Sequence, residues 1–294
     1  MKMMKTPGAL ARTAALALAV FSSLAGAPAV AAADPAAGTA DAHAAAVPSS
    51  EALPEADQIL DKWNEARGGR EALDRVRTVW SKGRFEIPAM GLVAEIISWV
   101  ADSGRTRASI TSPALGDIEQ GGDGTFYWER SSMAGSKLKK GCDLWRARKE
   151  AAAGSYTDWK DWYRSVNTHA ADTVNGVPAW KVLATPEKCE AETLWFDRSS
   201  GLLLKQASIV QTDQGDIPLE IFPLDYREVS GLMLPFRVKQ SLMRGLQVME
   251  VTIDTLAINV DLPENVFQPP AEVQELIEKE KAAGSGTGGQ SKTP

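Results

Sequence analysis

The sequence predicts a mainly β fold of the α+β class: a curled antiparallel sheet or half-open β-barrel of about ten or eleven strands, with helices covering its concave face. Short segments of alternating polarity recur from Val79 to Leu256. Turn-forming residues separate them at regular intervals, as in an antiparallel meander. A meander with this many strands buries one face and hides its edges most economically by curling, with helices across its mouth.

Two short helices are predicted before the first strand. Glu55–Arg67 carries apolar residues at helical spacing and ends at Gly68-Gly69, and a second helical turn follows at Arg70–Val76. Alternation, β-branched or aromatic content and hairpin signals then predict the strands Val79–Ile87, Leu92–Ala101, Arg105–Thr111, Phe126–Trp128, one around Ala171, Ala179–Thr185, Thr193–Asp197, Leu202–Gln211, Leu219–Val229, Leu234–Leu242 and Leu246–Leu256.

Local signals refine this assignment at four places. Gly121–Gly124 reads as a tight turn, and Asn175-Gly176 is a strong hairpin signal. Leu138–Ala153 and Tyr156–Val166 look helical, so residues 138–166 are predicted to form one helical insertion. A short acidic helix at Glu272–Lys281 is expected to close the domain.

The N-terminus has the three parts of a secretory signal. Lys2, Lys5 and Arg12 precede a short apolar run, and small residues lead to a predicted cleavage site after Ala33. No cysteine lies near this site, which argues against a lipid-anchored N-terminus. We therefore expect residues 1–33 to be removed and the mature protein to be periplasmic.

Composition divides the remaining chain into one domain and two flanking segments. Residues 34–53, rich in alanine and proline, are predicted to be a flexible tether, residues 54–281 a single domain, and residues 282–294 a disordered tail. Loss of three basic residues with the signal changes the net charge from −6 to −9. Such an acidic chain is a poor partner for nucleic acid or anionic lipid surfaces. We expect a monomer.

The chain has two cysteines, Cys142 and Cys189. An oxidising compartment favours a disulfide between them, whereas two free buried thiols are the alternative.

Catalytic motifs are weak. The chain has two histidines, of which His43 lies in the tether, and His169 could activate Cys142 as a thiol nucleophile, although a disulfide-bonded Cys142 and a solvent-facing His169 are the stronger expectation. Neither a G-x-S-x-G elbow in the folded region nor an H-E-x-x-H zinc motif occurs, and Gly121–Gly124 lacks the residues of a phosphate loop. The sequence predicts no enzyme, no metal and no cofactor.

Nine tryptophans are the unusual feature of the composition. Tryptophan suits both protein cores and apolar binding cavities, and core packing is the stronger expectation for any single one. We predict that a ligand cavity is lined by Trp80, Trp99, Phe126, Trp128, Trp195, Leu204, Phe222, Phe236 and Val238. A lid over it is predicted to carry Trp145, Trp159 and Trp162.

Several segments, in this order and spacing, resemble the LolA/LolB-like superfamily of periplasmic lipoprotein-sorting and lipid-carrier proteins. They are Ala66–Leu73, Asp123–Trp128, Leu194–Asp197 with Gly201–Leu203, Asp225–Gly231 with Leu234-Pro235, and Ile258–Leu262 with Val266–Pro270. The resemblance implies a half-open barrel whose apolar concave face holds acyl chains. The segment at 138–166 and the two flanking tails depart from that pattern, and no residue identifies the cargo.

The function expected on these grounds is that of a non-enzymatic periplasmic carrier or chaperone for a lipid or for lipoprotein acyl chains. Its partners would be that hydrophobic ligand and membrane-associated donor and acceptor proteins. Two alternatives remain open: a structural or interaction domain whose barrel is filled by its own side chains, and a secreted hydrolase that uses Cys142 or a serine with His169.

Overall fold

A computed structural model describes residues 52–152, 159–212, 215–263 and 265–285. The predicted signal peptide and nearly all of the predicted tether lie outside these ranges. The helices are α1 (Ala56–Ala66), α2 (Gly69–Asp74), α3 (Gly141–Ala151) and α4 (Ala271–Ser285). The strands are β1 (Thr78–Ile87), β2 (Leu92–Ala101), β3 (Arg105–Ser112), β4 (Gly116–Asp123), β5 (Tyr127–Ser131), β6 (Gly135–Leu138), β7 (Ser165–Val174), β8 (Val177–Thr185), β9 (Glu192–Asp197), β10 (Leu203–Thr212), β11 (Gly215–Val229), β12 (Leu232–Leu242) and β13 (Gln247–Ile258).

All thirteen strands form one antiparallel sheet that does not close into a barrel. Its order is β6-β5-β4-β3-β2-β1-β13-β12-β11-β10-β9-β8-β7, so the chain runs outward from β1 to one edge and crosses to the other edge. It then returns strand by strand until β13 pairs with β1. The predicted curled, mainly β fold with helices is confirmed.

Two of the thirteen strands, β4 and β6, were not predicted, and Gly121-Gly122 is the instructive case. These glycines lie inside β4, where they pair with Trp128 and Tyr127 of β5. A Cβ atom on either glycine would overlap the ring of its partner. Glycine is needed here because the ring of the partner residue occupies the space that a Cβ would fill. Since β4 continues to Asp123, the prediction of a turn at Gly121–Gly124 was wrong over most of its length.

The crossover between the two edge strands occupies the segment that was predicted as a helical insertion. Only α3 and a 3-10 turn at Trp159–Asp161 are helical in its described part. The helix predicted over Tyr156–Val166 was wrong, since β7 already begins at Ser165 and Val166 pairs with Ala184. A 3-10 turn also brings residues three apart to one side, so the aromatic spacing did not distinguish it from an α-helix.

Other predicted features agree with the structure. Asn175 and Gly176 have φ values of 51° and 82°, as a two-residue hairpin turn requires. Gly68 has a φ of 118° and approaches the carbonyl of Gly231 so closely that no Cβ would fit. The turn between α1 and α2 therefore lies in direct contact with the β11–β12 hairpin. The final helix, α4, continues to Ser285, beyond its predicted end at Lys281.

Candidate functional site

One face of the sheet, defined by Val79, Phe85, Leu194 and Val238, is apolar along most of its width; we call it the concave face. Strand register shows that these residues share one side of the sheet. Side chains from β1–β3 and β10–β13 meet in a single buried cluster, which indicates that the sheet curls toward this side. The cluster comprises Leu73, Val76, Val79, Phe85, Ile87, Leu92, Ala94, Ile96, Val100, Ala108, Ile110, Val210, Leu219, Ile221, Leu232, Leu234, Phe236, Val238, Leu242, Met249, Val251 and Ile253.

Helices α1, α2 and α3 and residues 159–163 lie over the concave face; we call them the helical cover. Helix α2 contributes Leu73 to the central cluster. Helix α1 packs on β8–β10 through a second cluster, in which the rings of Trp63 and Phe196 are 5.5 Å apart. The predicted lid residues Trp145, Trp159 and Trp162 pack against this second cluster. They therefore join the crossover to α1 and to the sheet.

A buried ion pair fixes α3 to the sheet. The Lys149 ammonium lies 2.5 Å from the Glu192 carboxylate on β9, and each side chain is 2% exposed. The hydroxyl of Tyr163 donates a hydrogen bond to the same carboxylate oxygen at 2.5 Å. Burial by itself would raise the pKa of Glu192, but the charge of Lys149 and the hydrogen bonds from Lys149 and Tyr163 outweigh it and lower that pKa.

The lowered pKa of Glu192 predicts a pH-dependent stability. Because the folded state holds this group below its ordinary value of 4.5, its contribution is present above pH 4.5 and is lost as the pH falls below that value. The difference in unfolding free energy between the wild type and Glu192→Gln should therefore narrow as the pH falls from 6 to 3. Urea titrations of both proteins measure it, and a gap that stays constant over this range would contradict the assignment.

A disulfide also attaches α3 to the sheet, next to the strand that carries Glu192. Cys142 in the first turn of α3 forms a disulfide with Cys189 in the β8–β9 loop, with the Cα atoms 5.6 Å apart. The predicted disulfide is confirmed. A disulfide-bonded Cys142 has no free thiol to act as a nucleophile with His169.

A cavity of about 30 Å³ lies between α3 and strands β2–β5. Its lining includes polar side chains, among them Gln120, Lys139 and Glu150. Burial lowers the pKa of Lys139, although Glu129 opposes the shift through its charge and a 3.4 Å contact. The volume suits about one water molecule and is roughly a tenth of the smallest usual ligand pocket.

The predicted cavity-lining residues do not share one surface. Phe236 and Val238 belong to the central cluster on the concave face. The other predicted strand residues with a direct register partner lie on the opposite, convex face, where Trp80 pairs with Trp99, and Trp128 with Leu138.

Separate elements cover the aromatic residues of the convex face. Helix α4 covers Trp128 and Phe126 through Val273 and Ile277. It is held there by a 2.5 Å ion pair between Arg130 and Glu272. Another small cluster contains Trp195, Leu204 and Phe222, and the Trp195 indole donates a 2.8 Å hydrogen bond to Asp172.

Sequence reasoning missed the polar residues on the concave face. Glu192 is in phase with Leu194 and Phe196, and Gln240 is in phase with Val238 and Leu242. Strict alternation would have placed both on the buried side. No comparable signal marked Lys149, which lies between Arg148 and Glu150 in a charge-rich helix.

The described residues give little support for a histidine-based catalytic site, a metal site or a membrane-spanning helix. His169 is an exposed residue of β7 at a register irregularity, and no shared site joins it to Cys142. Within the same residues, no group of three histidine, cysteine or acidic side chains could hold a metal. None of the described helices combines the length and apolarity needed to cross a membrane.

No family model and no curated protein matches the chain. Several solved structures, however, are similar to the structure of this chain. A LolA superfamily protein from Nitrosomonas europaea aligns over 74% of this chain and 99% of its own, with 14% identity and a TM-score of 0.50. A DUF1329 family protein from Desulfovibrio piger aligns over 73% and 98%, with 11% identity and a TM-score of 0.51. A domain described as an outer membrane lipoprotein-sorting protein domain, from Vibrio parahaemolyticus, aligns over 72% and 97%, with 10% identity and a TM-score of 0.51.

At these identities the likeness concerns the fold, and it agrees with the sheet order and helical cover described above. The chain has a LolA-like fold.

Proposed function

We propose that the protein is an exported, non-enzymatic carrier that shields a hydrophobic ligand, a lipid or the acyl chain of a lipoprotein, between the concave face and the helical cover. The observation that carries this proposal is the continuous apolar concave face, to which strands from both halves of the sheet contribute. The LolA-like fold supports it, and the disulfide supports an oxidising, periplasmic location. Membrane-associated donor and acceptor proteins would load and unload such a carrier.

A ligand of this kind requires the helical cover to move. The 30 Å³ cavity is too small for it, so the helices must separate from the strands to expose surfaces such as Phe236 and Val238. Burying a twelve-carbon chain gains about 10 kcal/mol at about 0.8 kcal/mol per methylene. The cover can open for a ligand only if the free energy of opening is smaller than this gain. The disulfide and the Lys149–Glu192 pair, which attach α3 to the sheet, contribute to the free energy of opening.

The buried apolar side chains of the central cluster, which pack against one another, also favour a second candidate, an interaction domain that binds no ligand. In that case the apolar side chains of the concave face serve only as the core, and the cover does not open. This candidate and the carrier make opposite predictions about uptake of a hydrocarbon probe.

The test uses the mature full-length protein and the hydrocarbon dye 1,6-diphenylhexatriene, with native mass spectrometry and lipid extraction of protein purified from its natural host. A carrier is expected to enhance the dye's fluorescence saturably, with one dye per chain, and to carry co-purifying lipid. The matched control is Val93→Ser, which removes an exposed apolar side chain outside the concave face and should leave uptake unchanged. Absence of both dye binding and co-purifying lipid would establish the interaction domain instead.

A further inference from the structure

Gln240 is a polar residue in the apolar concave face. It lies on β12 between Val238 and Leu242, and its register partners are Ile221 on β11 and Met249 on β13. All four neighbours are buried and apolar, and Gln240 itself is 3% exposed. The side-chain amide therefore lies well inside the central cluster, away from solvent.

Neither the oxygen nor the nitrogen of this amide has a hydrogen-bond partner among the described residues. Two other polar sites on the same face have partners: the hydroxyls of Ser81 and Ser98 are 2.6 Å apart, and one carboxylate oxygen of Glu192, Oε2, contacts Lys149 and Tyr163, although Oε1 has none among the described residues. A buried amide with unmet donor and acceptor capacity destabilises the folded state, and such groups are uncommon in native proteins. A functional explanation is therefore warranted for Gln240.

We propose that the Gln240 amide recognises the neutral carbonyl linkage, ester or amide, that joins an acyl chain to the rest of its carrier molecule. This inference rests on the proposed function and names the chemistry of its ligand. The Gln240 N–H donates to the ligand carbonyl, and its oxygen accepts from an N–H where the linkage is an amide. The surrounding aliphatic side chains would contact the methylenes on either side.

The neutral linkage fits this position better than a free carboxylate. None of the four flanking residues is charged, and a carboxylate transferred into such surroundings would need a compensating positive charge. A plain hydrocarbon would fill the same space but would leave both amide atoms unsatisfied. Gln240 would therefore discriminate among ligands of similar length according to their linkage.

The experiment measures displacement of diphenylhexatriene from the full mature protein by three probes: tridecane, methyl laurate and N-methyl lauramide. Gln240→Met is the main variant, since it has nearly the same shape and removes both hydrogen-bonding atoms. Val93→Ser is the matched control, at an exposed apolar side chain of β2 outside the concave face. If Gln240→Met fails to fold, Gln240→Leu takes its place.

The wild type and Val93→Ser are expected to bind both carbonyl probes about fivefold to tenfold more tightly, relative to tridecane, than Gln240→Met does. A preference confined to N-methyl lauramide would point to an amide-linked chain, and an equal preference for methyl laurate to ester-linked lipids as well. Identical probe ratios in the wild type and Gln240→Met would overturn the role of Gln240 and leave the carrier intact. Failure of the wild type to bind any probe would overturn both.

Discussion

Replacing Glu192 by glutamine is expected to lower the free energy of unfolding by about 3–5 kcal/mol, because removal of one member of a buried ion pair leaves a costly charge in the interior. The carboxylate lies 2.5 Å from the Lys149 ammonium, and both side chains are 2% exposed. Glutamine keeps nearly the same shape, so the loss reports the charge. Urea unfolding at neutral pH measures it.

Two further variants make this prediction specific. Glu95→Gln breaks the ion pair between Lys82 and Glu95, whose side chains are 45% and 51% exposed, and it should cost less than about 1 kcal/mol. Adding Lys149→Met to Glu192→Gln should recover more than half of the loss, since no buried charge then needs compensation. A Glu192→Gln effect as small as that of Glu95→Gln would show that the pair does not hold α3 to the sheet.

Removal of the disulfide, by replacing Cys142 and Cys189 with serine, should lower the free energy of unfolding by about 4 kcal/mol. The two cysteines are 47 residues apart in sequence, and the chain-entropy model gives a stabilisation of this size for a loop of that length. Urea unfolding of the double variant and of the oxidised wild type measures the difference. The wild type treated with reductant provides the control, and it should match the double variant.

The same double variant bears on the proposed function. Both the disulfide and the Lys149–Glu192 pair attach α3 to the region where β9 begins, so loss of the disulfide weakens this attachment and leaves the ion pair in place. A carrier whose cover opens should then take up diphenylhexatriene faster than the wild type. Unchanged stability in the double variant would contradict the chain-entropy estimate, and unchanged uptake would place the opening elsewhere in the cover.

Much of the fold could be predicted from short-range patterns. Alternating polarity, β-branched or aromatic content and hairpin signals together located eleven of the thirteen strands. Asn175-Gly176 marked its hairpin because few other residue pairs adopt positive φ at both positions. The two missed strands lacked that pattern: β4 contains Gly121-Gly122, and β6 is only four residues long. Their place in the sheet depends on Trp128 and Tyr127, which lie on β5.

The candidate site was harder to predict than the fold. Alternation showed that Trp128 and Phe236 each belong to one side of a strand, but it did not show which side is concave. Both faces of this sheet are covered, one by the helical cover and the other partly by α4. Large apolar residues therefore occur on both faces, and aromatic content alone could not identify the interior.

Periodicity and turn residues were sufficient to predict the mainly β architecture and the initial helices, because these signals act over a few residues. A single pair of cysteines favoured a disulfide between Cys142 and Cys189 over two free thiols. Three findings required the three-dimensional structure: which face became the interior, the contact of Glu192 with Lys149, and the absence of a hydrogen-bond partner for the Gln240 amide among the described residues. These outcomes depend on how the sheet curls and where the crossover lies. Such contacts join residues far apart in the chain, and no local pattern encodes them.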